Sequence, residues 1–168
     1  MKWLAVLVAA AAPIAAQNSA GIPAQAERGQ TLFYGEGKCG SCHALKGKGT
    51  AVGPNLVNIA RIPPRAIAMS VRSTRTQYVQ AVKVKGKEEF PGMKSSEEGN
   101  TVQFYNLAAN PPELVKLDKS EFTATDNQTW KHPPASAKLS NEHLADIIAF
   151  IRWASFGDKT EIDPSEAQ

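Results

Sequence analysis

Cys39 and Cys42 stand three positions apart and are followed at once by His43. So close a pair cannot staple distant parts of a chain, which excludes a small fold held by a disulfide framework. The N-terminus reads as an export signal: Lys2 precedes an apolar run from Trp3 to Ala12, and Pro13-Ile14-Ala15-Ala16 supplies small residues for cleavage. Residues 1–16 are therefore expected to be a signal peptide and Gln17 the first mature residue, placing the protein in the periplasm or outside the cell. The run stops at Gln17-Asn18-Ser19, well short of the roughly 20 apolar residues that span a bilayer, so no integral membrane span is expected. In an oxidising compartment a cysteine pair must be oxidised, metallated or used covalently.

The 168 residues are 42% apolar and 21% charged, enough for one domain with a core and too apolar for intrinsic disorder. No period of about 20 to 50 residues points to a repeat fold. Charge is unevenly spread although the net is only +3: residues 26–87 hold eleven Lys and Arg against Glu27 and Glu36, whereas residues 88–168 hold seven against fourteen Asp and Glu. The asymmetry can steer an acidic partner to the first half, or both surfaces are simply solvated. The basic residues are not interleaved with aromatics, which argues against nucleic acid. P-loop, dinucleotide and nucleophile motifs are absent.

Along the chain, Ala26 to Tyr34 reads as a short helix stopped by Gly35 and Gly37. Ala44 to Pro64 is rich in Gly, Pro and Asn and reads as loop, and Pro64 to Ser73 as helix, with Met69 beside Ile67 in its core face. The period then changes. Gln77–Lys85, Glu88–Ser95, Thr101–Leu107 and Leu114–Lys119 read as strands separated by Gly86, Glu98-Gly99-Asn100 and Asn110-Pro111-Pro112. A long helix follows Ser140 as N-cap, with Leu144, Ile147, Ile148 and Ile151 on one stripe, Phe150 and Trp153 widening it and Gly157 ending it. The tail 157–168 is polar and acidic and is expected to fray.

Cys39-Gly-Ser-Cys42-His43 is C-x-x-C-H, the attachment signature of c-type haem: two thiols at this spacing add to the two vinyl groups on one porphyrin edge, and His43 then lies under the iron as an axial ligand. A thioredoxin-like pair would sit at a strand end opening a helix, whereas this one follows a helix and enters a Gly-rich loop. Zinc would need further ligands from His132 or His143. A plain disulfide is the remaining alternative.

Gly29-x-x-x-Phe33, then C-x-x-C-H, then Gly53-Pro54-Asn55-Leu56, then the helix from Leu139 to Ile151 resemble a class I c-type cytochrome. The resemblance implies a mainly α fold, a helical haem domain in which the first and last helices cross and Gly29 and Phe33 meet Phe150. It implies one covalently attached haem c per chain, a hydrogen bond from His43 Nδ1 to the Pro54 carbonyl, and Leu56 against the haem. The chain departs from the family in two ways. A small antiparallel sheet is inserted at about 78–126 within the single domain 17–168, as in a subgroup of bacterial cytochromes, and the usual Met-Pro before the last helix is replaced by Trp130-Lys131-His132-Pro133-Pro134.

His132 is thus expected as the distal ligand, with Met93, after Pro91-Gly92, as the alternative. Trp130 is a candidate to pack on the haem, and Arg61 and Arg65 to meet its propionates. The resulting expectation is an electron carrier rather than an enzyme, exchanging electrons with redox proteins such as an exported dehydrogenase or a quinol-linked complex. The alternative is a haem enzyme or a gas or redox sensor with an open or displaceable distal site.

Overall fold

The last long helix organises the molecule, a computed structural model that describes residues 21–72, 78–126 and 129–168. The expected signal peptide, the end of the third helix's expected range at Ser73 and the start of the first strand's at Gln77 lie outside the described residues.

The elements run α1 (Ala24–Tyr34), α2 (Leu56–Ile59), α3 (Pro64–Arg72), β1 (Val79–Val84), β2 (Phe90–Glu98), β3 (Thr101–Asn106), β4 (Glu113–Asp118), β5 (Phe122–Asp126), α4 (Pro134–Ala137) and α5 (Asn141–Phe156). Single 3-10 turns cover Cys39–Ser41 and Pro164–Ala167.

Helix α5 begins where the Ser140 side chain accepts the His143 amide at 3.2 Å and ends at Gly157, whose φ of 71° suits a residue without Cβ. Its apolar stripe, Leu144, Ile147, Ile148 and Ile151, is buried. Helix α1 crosses it. A Cβ on Gly29 would run into the Asp146 carbonyl and the Ile147 amide, so the two backbones touch there. The resemblance implied that Gly29 meets Phe150. The contact lies one turn earlier on α5, and Phe33 alone reaches Phe150, edge to face at 5.5 Å. Arg28 seals the crossing with two 2.9 Å bonds to the Asp146 carboxylate, which raises the guanidinium pKa further.

The strands form one antiparallel sheet in the order β4-β3-β2-β1-β5. Gly86 (φ 73°) and Gly99 (φ 55°) make the tight links of the first two hairpins. Val82, Val84, Val102, Phe104 and Leu117 form a core separate from that of the helices, with Phe122 edge-on to Phe104 at 5.3 Å. Strand β5 goes beyond the four strands read from the sequence; it pairs with β1 from Gln80↔Asp126 to Val84↔Phe122. The expectation of a mainly α chain therefore holds only in part, since helix takes 36% and strand 24% of the described residues.

The C-terminal tail corrects the expectation of fraying. Gln25 and Ile162 exchange two hydrogen bonds of 2.8 Å, Arg72 Nη1 donates to the Ala167 carbonyl at 2.8 Å, and Asp163 with Glu166 closes a capping box. Ile162 and Ala167 are buried in the helical core beneath a polar composition that hid them. Ile162→Ala should destabilise the protein by about 2–4 kcal/mol in a denaturant titration, whereas a frayed tail would give under about 0.5 kcal/mol.

Candidate functional site

Between the helical core and one end of the sheet lies a cavity of about 460 Å³ with a largely apolar lining. Phe33 and the buried stripe of α5 form its back; Cys39, Cys42, His43, Pro54 and Leu56 form one side. Ile67, Ser70 and Val71 of α3 contribute from another direction. Tyr78, Met93 and Leu107 contribute from the sheet, all at the end where Val79 pairs with Met93 and Gly92 with Asn106. Trp130 and His132 also line it, and Lys38 brings a cation beside the cysteine motif.

The C-x-x-C-H segment is shaped by its neighbours. The His43 amide donates to the Cys39 carbonyl at 2.8 Å, which winds the motif into its single turn. The chain then folds back, and the Val52 and Gly53 amides both donate to the Cys42 carbonyl, at 3.0 and 2.7 Å. This return brings the Pro54 carbonyl to 2.9 Å from His43 Nδ1, the bond the resemblance implied. It also lays Gly53 flat on the imidazole: a Cβ there would stand 2.5 Å from His43 Cε1.

Sequence reading missed Tyr34. Its hydroxyl reaches the Leu45 and Lys48 carbonyls at 3.2 and 3.3 Å, and its ring covers Gly40, where a Cβ would come within 2.5 Å. Tyr34 thus ties the return loop to the motif and leaves room for no side chain at position 40. It missed Ser136 too, whose buried hydroxyl donates to the Gly37 carbonyl at 2.7 Å and anchors the segment that follows His132.

Cys39 and Cys42 are free thiols, and burial pushes both pKa values up, that of Cys39 to about 11. A thioredoxin-like nucleophile needs the opposite shift. Burial lowers the pKa of His43, opposed in part by the Pro54 bond. His132 is lowered chiefly by burial and then by His43. A backbone hydrogen bond to Ser70 raises it in part, although Nδ1 is sealed from solvent and has no well-aligned partner among the described residues.

The two imidazoles both line the cavity, with ring centres 6.5 Å apart and planes 26° from parallel. Trp130 stands 5.6 Å from the His132 ring, tilted by 53°.

Other sequence candidates are placed differently. Met93 lines the cavity from β2, half-buried. Met69, expected in the core face of α3, is 54% exposed, because Pro64, Ile67 and Ala68 form the buried side of that helix. Arg61 covers the Phe156 ring at 4.3 Å, and neither it nor Arg65 lines the cavity. No group of three or more metal-ligating side chains occurs among the described residues, so a zinc site built from Cys39, Cys42, His43 and a further histidine is not assembled. No described helix is long and apolar enough to cross a membrane.

Comparison with curated proteins gives no match. The family model described as Cytochrome c matches residues 26–109, from α1 through the cysteine motif and the Pro54 carbonyl to the end of β3. That stretch is half of the chain and contains every residue that shapes the His43 side of the cavity, and the chain accordingly belongs to the cytochrome c family.

Proposed function

We propose that this protein is an exported monohaem electron carrier whose iron is held between His43 and His132. The carrying observation is the pair of imidazoles lining one cavity. A metal–imidazole nitrogen bond is about 2.0–2.1 Å and the ring centre lies roughly 1.1 Å farther back, so two imidazoles on opposite sides of one ion have centres about 6.3 Å apart. The 6.5 Å separation supports that arrangement. Sealing of His132 Nδ1 within protein leaves Nε2 as the nitrogen for the metal. Met93 remains in the wall as an apolar side chain.

The residues present fit a haem. Two thiols three positions apart flank the side on which His43 enters, the wall is apolar, and Gly53 keeps the His43 ring free of side-chain pressure. Cys39 and Cys42 are the attachment points, one haem c per chain. When bound, the haem supplies a one-electron ferric/ferrous couple.

The chain does the rest. The Pro54 carbonyl accepts a hydrogen bond from His43 Nδ1–H, which orients the ring and makes its other nitrogen a stronger donor. The α5 stripe and Leu56 exclude water from one side. Tyr78, Met93, Leu107 and Trp130 close another. In this reading residues 17–168 are one domain, the sheet at 78–126 is an insertion that covers part of the cavity, and the basic first half steers redox partners such as an exported dehydrogenase or a quinol-linked complex.

A spectroelectrochemical titration of the haem-loaded protein tests the proposal. A reversible one-electron transition at low potential is the expected result, because a second imidazole favours the ferric state relative to a thioether. A high potential typical of Met ligation contradicts the His132 assignment.

A further inference from the structure

The two histidines are held very differently. The His43 ring is fixed at every point: its residue follows Cys42, its amide is bonded to Cys39, its Nδ1 to Pro54, and its face rests on Gly53, which is itself tied to Cys42. His132 is held more loosely. Its ring has a backbone contact at Ser70, but Nδ1 is buried without a well-aligned partner, and Trp130, Lys131 and His132 make no backbone–backbone hydrogen bond, among the described residues. The first backbone anchor after it is the Pro133 carbonyl, which accepts the Ser136 and Ala137 amides at 3.0 and 3.1 Å.

From this asymmetry we infer that His132 is the displaceable ligand, and that the reduced protein binds a small neutral diatomic molecule in its place. The inference rests on the reading of His43 and His132 as the ligand pair. A buried donor without a well-aligned partner is penalised in the ligated position, and swinging the ring toward water relieves that penalty. His43 gains nothing by leaving, since it would surrender the Pro54 bond. Departure of His132 breaks no backbone hydrogen bond of Trp130–His132 seen among the described residues, while Ser136 on Gly37 anchors α4.

The step is a ligand substitution. The bond from iron to the His132 nitrogen breaks and its electron pair returns to the imidazole; the incoming molecule's lone pair forms the new bond. Iron stays ferrous and neither a proton nor an electron is transferred. Ile67, Val71, Met93 and Leu107 give the cavity an apolar wall and Lys38, beside Cys39, is the cation in its lining, so the class favoured on a ferrous iron against that apolar wall is carbon monoxide or nitric oxide rather than azide or cyanide.

Rapid mixing of the haem-loaded, reduced protein with carbon monoxide tests this. The native protein should form an adduct at a rate that levels off as the gas is raised, because departure of His132 comes first. Once on that plateau, a tenfold rise in carbon monoxide should change the native rate less than about twofold, while His132→Ala should respond by about tenfold. Failure of the native protein to form an adduct, or a native rate that keeps rising in proportion to the gas, overturns the inference. If His132→Ala does not mature, the native plateau decides alone. A resting spectrum that is not bis-imidazole overturns the ligation reading itself, and is seen before any gas is added.

Discussion

Replacing His132 with methionine should raise the midpoint potential of the haem-loaded protein by on the order of 0.1 V or more, within the roughly 0.8 V that axial ligands command. The imidazole is the stronger electron donor and stabilises the ferric state, whereas a thioether favours the ferrous state. Pro133 and Pro134 fix the chain just beyond position 132, and Ser136 holds the following turn to Gly37, so the replacement side chain is presented from the same place. Methionine is long and freely rotating enough to reach an iron that imidazole reaches. An unchanged potential would remove His132 from the iron and return attention to Met93, which lines the same cavity.

Gly29→Ala should be the most damaging single methyl group that can be added to the fold. The added Cβ meets the Asp146 carbonyl and Ile147 amide of α5, not a side chain that can rotate away. Relief requires the helices to separate, which loosens the Phe33–Phe150 contact and the Arg28–Asp146 pair together. Overpacking of this kind costs about 1–3 kcal/mol and sometimes more, and a backbone obstacle places it at the upper end. A loss of about 3 kcal/mol corresponds to a fall in Tm of roughly 6–12 °C for a chain of this size. Thermal unfolding of the variant checks it, and a change under about 1 kcal/mol would mean that α1 and α5 do not touch at Gly29.

The residues that announced themselves in the sequence carry local signals. C-x-x-C-H is contiguous, the α5 stripe and its Ser140 cap lie within one helix, and Gly86 and Gly99 mark turns between alternating strands. What stayed hidden depends on distant partners. Strand β5, Phe122-Thr-Ala-Thr-Asp126, has one large apolar side chain and becomes a strand by pairing with β1, some forty residues earlier. Ile162 and Ala167 sit in a polar segment whose burial is set by Gln25 and Arg72 at the far side of the chain. Met69 was assigned to the wrong side of α3 because Ile67 and Ala68, only one and two positions away, already fill the core-facing side.

The site divides in the same manner. Position 132 stood out because a Met-Pro was expected there and His-Pro was found, and the fold brings that histidine into the same cavity lining as His43. The resemblance implied the Pro54 bond to His43, but nothing in the sequence shows that His132 Nδ1 lacks a well-aligned partner among the described residues, because that is decided by where α3 and the return loop lie. It is nevertheless the feature that separates a fixed ligand from a displaceable one.

The absorption spectrum of the ferric, haem-loaded protein tests the central claim most directly. Ligation by His43 and His132 requires a low-spin spectrum without the red methionine-to-iron charge-transfer band. Appearance of that band would identify a methionine as the distal ligand, and a high-spin spectrum would mean that His132 does not hold the iron at rest.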